Sequence, residues 1–168
     1  MKKLILSTAI ALTMTSAHAA TAVVSVANCQ TLANTTQPFI LVLDKGDEIL
    51  SSISACAKAA NLKGAIINGI GQLHNPVLAY FTSNPTDKPT LKQLHGYFEL
   101  ASLTGNVSVN DKDVYTHAHV ALADSGFHGI AGHLNKSLVG LTAEITIIPT
   151  AEVTRAVDPK TGFGPLVH

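Results

Sequence analysis

Arginine is nearly missing from this sequence. Arg155 is the single one among 168 residues, and Lys and Arg together number 11, matched by 11 Asp and Glu. A surface that holds nucleic-acid phosphates needs clustered lysine and arginine to replace condensed counterions. No such cluster exists, so the composition argues against nucleic acid as a partner. Past the first 15 residues there is also no apolar run near the roughly 20 residues that span a bilayer. Repeats, blocks of like charge and an interdomain linker are lacking, which leaves one domain. No catalytic triad or phosphate-binding glycine loop is recognisable either. Cysteine is scarce, with Cys29 and Cys56 the only two. In an oxidising compartment they can pair, provided their Cα atoms come within reach; otherwise both are free thiols, Cys56 a small apolar residue on a helix face. The sequence leaves both readings open.

What is present begins with an export signature. Met1-Lys2-Lys3 is a short basic start, Leu4 to Thr15 is apolar apart from small hydroxyl residues, and Ala17-His18-Ala19 supplies a small-x-small cleavage pattern. Residues 1–19 are therefore expected to be a signal peptide and Ala20 the new N-terminus, giving a periplasmic or secreted protein with no membrane span. Removing those 19 residues from 168 leaves 149, enough for one domain with its own core. Lys2 and Lys3 leave with them, so nine basic residues face 11 acidic ones and the charge becomes about −2.

Residues 20–37 are small and polar without a sustained period and read as an N-terminal arm; residues 38–168 read as the domain. Phe39 to Leu43 is a short strand. Asp44 or Asp47 is placed to cap a helix in which Ile49, Ile53, Cys56 and Ala60 recur at helical spacing, with Asn61 as the stop. Strands follow at 65–70, 77–82, one or two within 94–109, then 114–122, 126–134 and 138–148. Turns are expected at 84–89 and 158–162. One helix and about seven strands make an α+β fold, a strongly curved mixed or antiparallel sheet with the helix packed on one side.

The chemistry concentrates in Thr116-His117-Ala118-His119-Val120 and in Ala131-Gly132-His133, fourteen residues after His119. Strand side chains alternate, so His117 and His119 share a face, their Cα atoms roughly 6.5–7 Å apart. Two such imidazoles can converge on one ion through bonds of about 2.0–2.1 Å. Asp124-Ser125-Gly126 is a turn, which lets the strand carrying His133 return beside the first. Three neutral imidazoles with an open fourth position is a catalytic zinc arrangement, whereas an H-x-H pair alone is more often a solvated pair on a sheet surface. Glu99 and Glu144 are candidates for a nearby carboxylate, although each reads more readily as a structural hydrogen-bonding or surface group. His74, His95 and His168 lack partner spacing and read as structural or surface residues, and His128, nearby but just before Gly129, reads as a loop or surface residue.

At these residues the sequence resembles the plants-and-prokaryotes-conserved (PPC) domain family. The matching segments run in order: Leu43 to Asp47, Ile67-Asn68-Gly69-Ile70-Gly71-Gln72-Leu73, Ala79-Tyr80-Phe81, Gly96 to Asn106, His117-Ala118-His119-Val120 and Gly132-His133-Leu134. The resemblance covers about residues 38–165. It implies a curved α/β sandwich-like fold and a homotrimer. Plant members bind DNA through a separate arginine-rich AT-hook, which this chain lacks, and their Gly-Arg-Phe-Glu core reads Gly96-Tyr97-Phe98-Glu99 here. More distantly the family is similar to α-acetolactate decarboxylase, a zinc enzyme whose ligands come from an H-x-H strand and a later glycine-preceded histidine. That likeness implies zinc or a similar divalent metal on His117, His119 and His133. It says much less about a reaction, because one fold hosts many chemistries. Three functions follow as expectations: a metal-dependent enzyme on a small carbonyl or carboxylate ligand, a non-catalytic trimeric module, and, disfavoured, a DNA-binding protein.

Overall fold

The computed structural model describes residues 20–84, 86–110, 113–161 and 164–167. The expected signal segment 1–19, Pro85 and Gly162 of the two expected turns, and His168 lie outside the described residues. One α-helix, one 3-10 helix and eight strands make up the described chain, and the sheet is strongly curved, as expected. β1 (Ala22–Val24), the 3-10 helix (Val26–Leu32) and β2 (Phe39–Asp44) lead into α1 (Ile49–Ala59). Then come β3 (Ala65–Tyr80), β4 (Thr90–Gln93), β5 (Tyr97–Asn110), β6 (Asp113–Ala123), β7 (Gly129–Pro149) and β8 (Thr154–Arg155). Sheet order is β1-β2-β7-β6-β5-β3-β4, with β8 on β5 and β7 also paired to β3. The circuit β7-β6-β5-β3 therefore closes on itself. β7 makes this possible by its length: Gly129–His133 pair with β6, while His133–Pro149 pair with β3.

Burial follows the strand period. In β2, Phe39, Leu41 and Leu43 point inward, and in β6 so do Thr116, Ala118, Val120 and Leu122. α1 covers this inner face with Ile49, Ile53, Cys56 and Ala57, each fully buried. Burying an isoleucine side chain is worth about 1.5–3 kcal/mol, so this stripe, and not helix propensity, holds the helix in place. Ser54 and Thr116 satisfy each other across the contact, Oγ to Oγ1 at 2.6 Å.

The helix cap is Glu48, not the expected Asp44 or Asp47. Its side chain accepts the Ser51 N–H at 2.8 Å, because the helix starts later than the acidic cluster does. Asp47 instead closes the preceding turn by accepting the Asp44 N–H at 2.9 Å. Asn61 ends the helix as expected, taking the left-handed conformation (φ 55°) of a C-terminal stop. The arm is also more ordered than its composition implies. β1 pairs in parallel with β2, and a disulfide ties Cys29 of the 3-10 helix to Cys56 of α1, with Cα atoms 5.2 Å apart.

Two pairs of expected strands prove to be single bent strands. β3 runs through Gly69, Gly71, Asn75 and Pro76 with register shifts at each site. Bulges of this kind bend a strand without ending it. Gly71 has φ +148°, and a Cβ there would meet the Thr142 carbonyl oxygen and the Ala143 backbone of β7. Among the described residues no helix is long and apolar enough to cross a membrane.

Candidate metal centre

The inward set on β6 decides the outward one. With Thr116, Ala118 and Val120 buried against the core, His117 and His119 project from the opposite face. β7 returns antiparallel, as the Asp124 turn requires, and places His133 directly opposite His119. Asp124 builds that turn by accepting the Gly126 and His128 N–H groups at 2.8 and 2.9 Å. The three rings face one another: centroids are 5.3 Å apart for His117–His119, 4.9 Å for His117–His133 and 5.3 Å for His119–His133. One nitrogen from each ring lies within 4.8 Å of the other two. His117 Nε2 and His133 Nδ1 are 3.1 Å apart. Two nitrogens bound to one ion at about 2.0–2.1 Å in tetrahedral geometry are separated by about 3.3 Å, so His117 and His133 are spaced to share such an ion, and His119 is close enough to join them.

The surroundings are open. A shallow cavity of about 270 Å³ adjoins the site, lined by Thr104, Gly105, Asn106, His117 and His119. Gly105 is needed there for close approach: a Cβ would run into the His117 carbonyl oxygen and the Ala118 backbone. Phe81 closes one side, its ring edge-on to His133 at 5.2 Å.

Neither candidate carboxylate belongs to this group. Glu99 accepts from Gln72 Nε2 at 3.1 Å and pairs with Ala123. That is four residues along β6 from His119, roughly 13 Å at strand rise. Glu144 pairs with Ile70 and lines a separate cavity of about 330 Å³ with Ile40, Asn68 and Ser102. At that level β7 pairs with β3, and β3 and β5 lie between Glu144 and the histidine-bearing part of β6. His74 stacks on Tyr97 with centroids 4.4 Å apart, and His128 contacts Asp124 in the turn at 3.2 Å.

One neighbour was invisible in the local sequence. Arg155 reaches in from β8 and donates from Nη2 to Asn106 Oδ1 at 2.8 Å and to His117 Nδ1 at 3.2 Å. Its Nε donates to Ser108 Oγ at 2.9 Å and its Nη1 to the Gly164 carbonyl at 2.8 Å. Only its rarity in the sequence could have drawn attention to it.

Burial, then the nearby His133, Arg155 and His119, hold the His117 pKa down at about 4. Burial, then His119, lowers that of His133. His117 therefore stays neutral well below the ordinary histidine range, and the shift at His133 favours its neutral form in the same direction, the form that a metal ligand needs. The same shift makes a stability prediction for protein freed of metal by chelation. Between pH 6.5 and about 4 the unfolded chain takes up a proton that folded His117 refuses, so stability is complete above about 6.5 and falls as pH drops. Discounted for solvent screening of a half-exposed ring, the loss is on the order of 1 kcal/mol, roughly 3 °C in Tm. Thermal melts from pH 7.5 to 4.5 check this; His117→Gln is expected to flatten the slope.

The PCC (Plants and Prokaryotes Conserved) domain profile matches residues 30–151. A plant- and prokaryote-conserved protein of Pyrococcus horikoshii is 30% identical, with TM-score 0.70 over 79% of this chain and 93% of that one. Protein AF0104 of Archaeoglobus fulgidus, described as metal-containing, is 28% identical, with TM-score 0.69 over 79% and 94%. A Ralstonia eutropha protein with a provisional DNA-binding label is 25% identical, with TM-score 0.71 over 81% and 94%. No curated protein matches the chain significantly. The motif order, the curved sheet and the matched span agree: this chain belongs to the plants and prokaryotes conserved (PPC, or PCC) domain family.

Proposed function

We propose that this protein is an exported metal-binding PPC-domain protein, which holds zinc or a similar divalent ion on His117, His119 and His133 and acts on a small carbonyl or carboxylate compound. The observation that carries the reading is the convergence of three ring nitrogens, on two rigid paired strands, beside an open cavity. The metal-containing description of the Archaeoglobus fulgidus protein supports it. A bound ion would polarise a ligand oxygen or lower the pKa of a water there. The chain's own part is positional. β6 and β7 fix the imidazoles, Gly105 lets β5 lie close beneath them, and Asn106 and Thr104 offer polar contacts to a small ligand. Turnover of small 2-oxo and 2-hydroxy acids by metal-loaded protein, abolished in His119→Ala, is the test of the enzymatic half.

A specific observation favours a second reading, a non-catalytic trimeric module. Among the described residues the histidine group includes no carboxylate to act as acid or base. Ile66, Ile70 and Leu141, at least half exposed on β3 and β7, would be covered by self-association, and the edge strand β4, exposed at each of its four residues, needs protection. Turnover by no such acid, with light scattering giving three chains per particle, would favour this reading.

DNA binding has one support, the provisional label on some relatives. Against it, Arg155 is engaged inside the fold, and Lys58 and Lys63 are paired with Asp113 and Glu152. Titration with duplex DNA at physiological salt is expected to show no sub-micromolar affinity. Export is supported by the signal-like start and by the Cys29–Cys56 bond, which persists in oxidising compartments. Mass spectrometry of the periplasmic or secreted protein should give an N-terminus at or near Ala20.

A further inference from the structure

The guanidinium beside His117 bears on the metal centre in a way that the ligands alone do not reveal. Arginine has donors and no acceptor, so the 3.2 Å contact from Arg155 Nη2 requires a lone pair on His117 Nδ1. A neutral imidazole has one proton, which must then be on Nε2. That nitrogen is 3.1 Å from His133 Nδ1 and donates to it, so the proton of His133 is on its own Nε2. The chain of donors runs from Arg155 through His117 to His133.

In this arrangement the nitrogen that His117 turns toward His133 carries a proton and has no lone pair for a metal. Ligation through Nε2 moves the ring proton to Nδ1, where a metal-bound histidine ordinarily donates to a carboxylate, carbonyl or water. Here it would meet another donor. Two N–H groups would face each other at 3.2 Å, and a guanidinium charge would stand one ring away from a divalent ion. The guanidinium is not loosely placed, since Ser108, Asn106 and the Gly164 carbonyl all hold it. Its strand is short, however, and rests on β5 through only the pairs Val109–Thr154 and Asn110–Arg155.

We propose that Arg155 is a positioning residue which fixes the His117 proton on Nε2 and so opposes metal uptake, and that loading requires the guanidinium to release His117. The proposal rests on the three-histidine metal reading. It makes the C-terminal strand a restraint on the centre.

Two measurements test it. In metal-free, ¹⁵N-labelled protein, long-range imidazole correlations should show His117 protonated at Nε2 and bare at Nδ1. Arg155→Gln supplies a side-chain carbonyl that can accept from Nδ1–H, so the proton should move there. In competition with a chromophoric chelator, Arg155→Gln should bind zinc at least about tenfold tighter than the native chain. Arg155→Lys, still only a donor, should stay near native, and circular dichroism should show all three folded. His117 protonated at Nδ1 in the native chain would overturn the proposal, as would a folded Arg155→Gln protein that binds zinc no more tightly. Equal uptake by native and Gln proteins ends the proposal alone. Uptake by neither, with His119→Ala silent, ends it together with the metal reading.

Discussion

Replacing His117, His119 or His133 singly by alanine is expected to lower zinc affinity by a factor of about 100 or more. Disturbing a residue that merely orients a ligand already costs about 10–100-fold. Each of these changes removes a metal bond outright and leaves two imidazoles without the third. Compensation from nearby is not available, because Glu99 is held by Gln72 and Glu144 lies on another part of the sheet. The same substitution at His74 or His128 should leave affinity unchanged, since the first stacks on Tyr97 and the second belongs to the Asp124 turn. Competition titrations on all five variants make the comparison. A His133→Ala protein that binds as the native chain does would remove β7 from the site.

Opening the Cys29–Cys56 bond is expected to cost about 3.5 kcal/mol. The bond closes a loop of sequence separation 27, and the chain-entropy relation gives that magnitude for such a loop. Both sulfurs are in fully buried residues, so the bond also clamps the 3-10 helix onto the C-terminal half of α1. The end of the arm has further ties, Asn34 N–H to the Ala60 carbonyl at 2.9 Å and Asn61 Nδ2 to Asn34 Oδ1 at 2.6 Å. The β1–β2 pairing and these ties should keep the domain folded after the bond is lost. A Cys29→Ser/Cys56→Ser double variant should melt roughly 10 °C lower at unchanged far-ultraviolet dichroism. An unchanged Tm would mean that the arm contributes nothing to the cooperative unit.

Where the sequence was informative, a local period carried the message. The alternation of 114–122 fixed the face of His117 and His119, and the helical recurrence of Ile49, Ile53 and Cys56 marked α1. The motif order identified the family. Misreadings arose where pairing between distant segments overrode local signals. Gly69, Gly71 and Pro76 look like strand ends, yet β7 and β5 hold β3 together across them. The arm 20–37 has no period of its own; its order comes from β2 and from the disulfide to α1. Arg155 had no local motif at all, because its place beside His117 depends on β8 meeting β5, 38 residues away in sequence from the histidine.

The central claim is that three histidines on β6 and β7 hold a metal. Its most direct measurement is crystallographic anomalous scattering above and below the zinc absorption edge, on protein purified without chelators and then equilibrated with zinc. One anomalous peak per chain within about 2.0–2.1 Å of nitrogens of His117, His119 and His133, vanishing below the edge, is the result predicted. No peak at that position at saturating zinc would contradict the account, and would return His117 and His119 to a solvated pair on a sheet surface.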